Sequence, residues 1–144
     1  SSPNLSYLDA VEEALCFGWI DSIAKKAPDG RLAQRFSPRR PKSNWTELNK
    51  QRARRLIEAG LMTPAGLAIL PDLDPAAFRI APDILAALQA DDTVWRNFQA
   101  FPDNYKRIRI GYIEEMRHTP AVFTTRLKNF LDKTRANKLF GVLR

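Results

Sequence analysis

The chain has 144 residues, 23 Lys and Arg against 16 Asp and Glu for a net charge of +7, and a hydrophobic fraction of 44% that includes three Trp and eight Phe. That apolar content builds a core and excludes a disordered basic tail, and no apolar run reaches the ~20 residues of a membrane span. One cysteine and one histidine exclude an intramolecular disulfide and a Cys/His zinc cluster; no metal and no cofactor is expected, and the lone thiol suits a reducing cytoplasm.

Ser6, with Asp9 three residues on, is a helix cap, and Leu8, Val11 and Leu15 follow at helical spacing with Gly18 as a stop, which predicts a helix over 7–17. Cys16 falls in this apolar stretch as a small buried residue; the neighbouring Glu12, Glu13 and Asp21 argue against a reactive thiol. Segments 20–26 and 31–37 flank Ala27-Pro28-Asp29-Gly30 and read as a β-hairpin. With Lys25 opposite Arg31, Asp21 falls opposite Arg35, an ion pair worth about 0.2–1 kcal/mol. A lone hairpin is marginal, so it needs helices or a further strand, for which sequence upstream of Ser1 is one source.

Pro38 and Pro41 bracket Arg39-Arg40. Ser43 or Asn44, with Glu47 close behind, is expected to cap a helix carrying Trp45, Leu48, Leu56 and Ile57 and stopping at Gly60. Between Lys25 and Arg55 stand eleven Lys and Arg against two acids, +9 in a chain of +7. A field of one sign attracts anions without naming them. Thr63-Pro64 opens a short helix that Pro71 closes, and 72–81 reads as a linker. Four more helices follow: one opened by Pro82, one capped by Asp91 or Asp92, one carrying Tyr105, Ile108, Tyr112 and Met116, and one opened by Thr119-Pro120. The expected fold class is α+β, mainly helical with one small antiparallel β-hairpin and ending in a helical module. Residues 1–72 form a helix, hairpin and basic-helix module and 82–144 the helical module, together one compact unit.

Several strings occur in order: Glu13-Ala14-Leu15-Cys16-Phe17-Gly18-Trp19-Ile20-Asp21, Gln34-Arg35-Phe36-Ser37-Pro38-Arg39-Arg40-Pro41-Lys42-Ser43-Asn44-Trp45 and Gly60-Leu61-Met62-Thr63-Pro64-Ala65-Gly66-Leu67. With Ile110-Gly111-Tyr112-Ile113 and Lys133-Thr134-Arg135-Ala136-Asn137-Lys138 they resemble the YdeI/OmpD-associated, or bacteriocin-protection, family. The resemblance implies bacterial origin, a mainly helical fold and a missing upstream segment or a divergent start. It implies no reaction and no catalytic residues. Its stress, bacteriocin and outer-membrane labels leave a periplasmic location open beside the cytoplasm.

The segment from Arg35 to Trp45 is the strongest functional candidate. Arg35, Arg39, Arg40, Lys42 and Ser43 are the proposed anion ligands, because guanidinium forks match phosphate and carboxylate oxygens and a helix start at Ser43 adds free N–H groups. A solvated basic loop is the plainer alternative. Trp19, Phe36 and Trp45 offer stacking surfaces or, on their apolar faces, core packing. Asp21 is the weak candidate for an acid or base, with ion pairing to Arg35 as its simpler role, and His118 near a helix end is a structural cation before it is a base. Lys50–Arg55 carries only an electrostatic footprint for nucleic acid. The leading function is non-enzymatic binding of an anionic small molecule or polyanion, nucleic acid included, in a stress-protection role. The alternatives are a small enzyme acting on a phosphorylated or carboxylated metabolite, and a protein-interaction module.

Overall fold

In the computed structural model, which describes residues 6–141, α1 (Tyr7–Cys16) leads into a hairpin of β1 (Trp19–Lys26) and β2 (Leu32–Pro38). Then come α2 (Glu47–Glu58), α3 (Pro64–Leu67), a 3-10 turn (Pro75–Ala77), α4 (Pro82–Gln89), α5 (Asp92–Ala100), α6 (Asp103–Glu114) and α7 (Pro120–Arg135). The chain is therefore mainly helical with a single two-stranded antiparallel sheet among the described residues. It divides into two units: the first runs to Trp45 and includes Lys50–Leu73, and the second comprises Thr46–Asn49 and the chain from Asp74.

In the first unit, the Ser6 hydroxyl accepts the Asp9 N–H at 3.0 Å and starts α1. The other end is tied down by Thr63, whose N–H and hydroxyl donate to the Cys16 carbonyl at 3.1 and 2.5 Å. Thr63 also caps α3, so one residue closes α1 and opens α3. Gly66 lies so close to the Cys16 carbonyl that a Cβ would collide with it. Val11, Leu15, Cys16, Ala53 and Leu56 form the core, with Phe36, Trp45 and Met62 packed on it. Burial, and then Glu13 and Glu12, push the Cys16 thiol pKa up, which keeps it protonated and inert. The Arg55–Glu12 ion pair adds a polar tie between α2 and α1.

The hairpin turns through Pro28-Asp29-Gly30. Ala27 donates to Arg31 at 2.7 Å, Gly30 donates back to Ala27 at 2.9 Å, and Gly30 sits at φ +84°. This is a type I turn followed by a left-handed glycine, the usual three-residue hairpin connection. It sets Lys25 opposite Ala33, not Arg31, and an irregularity between Asp21 and Ala24 then brings Asp21 opposite Phe36. The expected Asp21–Arg35 pair is thereby corrected: neighbouring strand residues point to opposite faces, so a slip of one separates the two charges.

A further expectation changes. Helix α2 begins at Glu47, and the Thr46 hydroxyl accepts the Asn49 N–H at 3.0 Å, so neither Ser43 nor Asn44 is its cap. The stretch 72–81, expected as a linker, contains the 3-10 turn Pro75–Ala77, which Asp74 caps.

In the second unit, Asp91 accepts the Thr93 and Val94 N–H groups at 2.9 and 3.1 Å and starts α5. Ile84, Leu88, Val94, Phe98, Tyr105 and Phe130 are central to its core. Phe130 meets Phe98 edge-on at 6.0 Å, and Phe101 meets Tyr105 edge-on at 5.1 Å, the geometry that ring quadrupoles favour. Each such side chain contributes roughly 1.5–3 kcal/mol by leaving water. Helix α6 ends at Glu114, so Met116 lies beyond it, and His118 is exposed in the following turn rather than in a helical last turn.

Candidate functional site

Arg39 follows the end of β2. Its N–H donates to the Gly18 carbonyl at 2.9 Å, which pins the start of the loop to the turn between α1 and β1. The chain then reverses: Ser43 donates to the Arg40 carbonyl at 3.1 Å, with Pro41 and Lys42 between them. Lys42 sits at φ 62°, a left-handed conformation that glycine or asparagine usually supplies at this place in a turn. Holding a lysine there costs roughly 1 kcal/mol or more.

The reversal brings Ser43, Asn44 and Trp45 back onto Arg39. The Arg39 guanidinium carbon lies 3.8 Å from the centre of the Trp45 ring, a cation–π stack worth about 0.5–2 kcal/mol. Nη1 donates to the Ser43 hydroxyl and the Asn44 carbonyl, both at the long distance of 3.4 Å. Nε and Nη2 have no acceptor among the described residues. Arg39 is only 6% exposed, and no carboxylate of the described residues pairs with it. Burial lowers its pKa, and the field of Asp21 offsets this in part. A guanidinium carries five N–H donors, so this one keeps capacity for an oxyanion.

The other named residues separate into groups. Arg35, Arg40 and Lys42 are exposed, and Ser43 is half-buried beside Arg39. With α2 starting at Glu47, the helix-start contribution expected of Ser43 falls away. Trp45 and Phe36 are half-buried against the first core, whereas Trp19, expected on an apolar face, is 42% exposed at the start of the hairpin. Asp21 accepts a short hydrogen bond from the Tyr7 hydroxyl. That bond, and then burial, push the Tyr7 pKa up to about 12. Asp21 also lies in the fields of Arg39 and Arg52. The sequence reading missed Tyr7, because a partner fourteen residues away across a helix and a strand leaves no periodic signal. Among the described residues, no group of three His, Cys, Asp or Glu gathers as a metal site, and no helix is long and apolar enough to cross a membrane.

Two family models match this chain. Residues 77–137 match the one described as Bacteriocin-protection, YdeI or OmpD-Associated, and residues 1–69 match a domain of unknown function (DUF8412). The first match covers α4 to α7; the second contains the strings at 13–21, 34–45 and 60–67 and the whole Arg39 loop. No curated protein and no solved structure matches the chain.

Proposed function

We propose that this chain, which carries the bacteriocin-protection, YdeI or OmpD-associated domain over residues 77–137, binds the oxyanion group of a ligand at the Arg39 loop without catalysing a reaction, in a stress- or bacteriocin-protection role. The supporting observation is the Arg39 guanidinium, 6% exposed, stacked on Trp45 and lacking a carboxylate partner among the described residues. An uncompensated buried cation costs several kcal/mol, and an anion accepting from its spare donors recovers part of that. Ser43 holds one arm of the guanidinium, and Arg40 and Lys42 on the same turn supply a positive approach. The Ser43-to-Arg40 backbone hydrogen bond closes the turn in spite of the strain at Lys42, so little ordering remains to be done on binding.

The test is a thermal-shift screen against inorganic phosphate, nucleotides, phosphosugars and short DNA and RNA, followed by calorimetry on Arg39→Met. A small-molecule hit of defined stoichiometry that Arg39→Met abolishes is the expected result. A hit that grows with polymer length, survives Arg39→Met and falls with salt at a log–log slope of about −3 to −4, as for four phosphate contacts, would place binding on the exposed basic residues and overturn the Arg39-centred reading. Turnover of the bound ligand would make the protein an enzyme instead.

A further inference from the structure

Beside its core, the second unit carries a groove that joins apolar and basic side chains. Phe78 and Ile80 follow the 3-10 turn and stay half-buried against that core, and Phe98 of α5 reaches the same surface from within it. Asp103, Lys106 and Arg107 come from the first two turns of α6. With Pro75 and Ala76 these residues line an open groove of about 440 Å³. Small-molecule sites measure about 300–1,000 Å³ and set a few polar groups among apolar walls, so the groove has the size and the make-up of one.

The apolar side is held in place. Arg79 stands between Phe78 and Ile80 in sequence and donates Nη1 back to the Ala76 and Phe78 carbonyls, the latter at 2.9 Å. The lip of the groove is thus clasped by its own chain. Asp74 caps the 3-10 turn through the Ala76 N–H at 3.0 Å and is not part of the lining. On the basic side, Lys106 is met by the Asp103 carboxylate at 3.3 Å and the Gln99 carbonyl at 3.3 Å, and its Nζ lies 5.6 Å from the centre of the Phe98 ring. Arg107 is different. It is half-buried along the groove and makes no hydrogen bond or ion pair among the described residues. The lining therefore holds Lys106 and Arg107 against one carboxylate, and that carboxylate is engaged by Lys106. A planar guanidinium fork beside apolar walls suits a carboxylate, which accepts two parallel N–H bonds from it.

We propose that this groove binds a small aromatic carboxylate: the ring lies against Phe78, Ile80 and Phe98, the Arg107 fork receives the carboxylate, and Lys106 adds positive charge at the rim. A ring gains edge or offset contact with the two phenylalanines beyond the area it buries, which an alkyl chain does not. The two halves of the ligand are both needed. An ion pair in an open groove contributes little by itself, and a neutral ring leaves Arg107 unmet. The site shares no residue with the Arg39 loop and stands whether or not that loop binds an anion. It involves no reaction, since no bond is made or broken.

The experiment is a nuclear magnetic resonance titration of the isotope-labelled full chain with 1-naphthylacetate, with neutral 1-naphthylacetamide and with acetate, all at constant ionic strength. Saturable shifts of the Phe78, Ile80 and Arg107 backbone amides are expected with the naphthyl acid. The naphthyl amide should bind about tenfold more weakly for want of charged hydrogen bonds, and acetate should not saturate in the same range. Arg107→Gln should weaken the acid about tenfold and leave the naphthyl amide where it was, a split that a purely structural role of Arg107 would not produce. Ile80→Ala, which trims the apolar wall, should weaken both ligands, and Arg39→Met should change neither. Equal affinity for acid and amide, an acid affinity unaltered in a folded Arg107→Gln chain, or no saturable shift at these three residues would overturn the proposal, the last of these even if the Arg39 loop responds.

Discussion

Arg39 in the first unit and Arg126 in the second are stacked alike, 3.8 Å from a tryptophan ring centre and 3.7 Å from a tyrosine one, yet their charges are met differently. Arg126 has a carbonyl at 2.6 Å and a carboxylate at 3.6 Å. Arg39 has two bonds of 3.4 Å and no carboxylate among the described residues. The rings hold the guanidinium planes equally well, so stacking is not what distinguishes the sites. The difference is local charge balance: Arg126 has Glu115 beside it, and Arg39 has no carboxylate at contact distance among the described residues. The scaffolds differ too. Tyr112 stands on a helix that contributes Tyr105, Ile110 and Ile113 to a large aromatic core, whereas Trp45 lies on a loop beside a smaller one.

The largest expected effect tests the scaffold of the second region. Phe130 is fully buried between Phe98 and Tyr105 and also lines a small cavity beside Arg126. Phe130→Ala should cost about 3–5 kcal/mol in denaturant unfolding, because the hole left in an aromatic core closes only in part. A cost below about 1 kcal/mol would show that this core is looser than the packing indicates.

The first region has its own weak point at Gly66, where the backbone of α3 touches the Cys16 carbonyl. Gly66→Ala forces that contact apart and should cost about 1–3 kcal/mol, as overpacking does. Since Thr63 ties Cys16 in the same place, Thr63→Ala added to Gly66→Ala should give less than the sum of the two single effects. Strict additivity in a double-mutant cycle would mean that the tie and the close approach are energetically separate.

The comparison itself is tested by removing each stacked arginine without any ligand present. Arg39→Met should leave stability within about 1 kcal/mol of the parent or raise it, because a buried cation with no carboxylate at contact distance among the described residues gives way to an apolar chain of similar length. Arg126→Met should lower stability by about 1 kcal/mol, since it strips Glu115 of its partner and the Tyr112 carbonyl of a donor, both partly exposed to water. Equal changes in the two variants, read from denaturant midpoints, would erase the distinction drawn between the sites.

Much of the fold was legible because it is written locally. Ser6, Thr63, Pro82, Asp91 and Pro120 each start a helix by a side chain or a fixed φ, and Gly30 places the hairpin turn. Register was not legible, since the turn sets Lys25 opposite Ala33 rather than Arg31, and an irregularity between Asp21 and Ala24 takes one residue back, which leaves Asp21 opposite Phe36 instead of Arg35. The start of α2 was missed because Ser43, Asn44 and Thr46 are all good caps by residue type, and it is the Thr46 hydroxyl that accepts the Asn49 N–H. At the site, the sequence marked the Arg39 loop by its charge but not its burial. It was silent on Arg126 and Tyr112, fourteen residues apart on two helices, because such a pair exists only once the helices pack.

The smallest expected effect settles the register by titration. The hydrogen bond to Asp21, and then burial, raise the Tyr7 pKa from 10.0 to about 12. The folded chain thus holds this proton more tightly than the unfolded chain does. Its contribution to stability is complete below pH 10 and declines as pH rises from there toward 12, because the unfolded tyrosine ionises first. Asp21→Asn removes the carboxylate that disfavours the tyrosinate, so Tyr7 should titrate closer to 10.0 and the alkaline limb of the stability profile should steepen less. Tyr105, whose pKa is raised mainly by burial, should remain high in the same variant and serves as the internal reference. Arg35→Ala should leave Tyr7 where it was, since Arg35 lies on the other face of the hairpin from Asp21. Ultraviolet tyrosinate titrations of the three proteins read this directly. If Arg35→Ala moves Tyr7 and Asp21→Asn does not, Asp21 belongs to Arg35 after all, and the turn at Ala27–Arg31 pairs the strands in the register that the charges alone suggested.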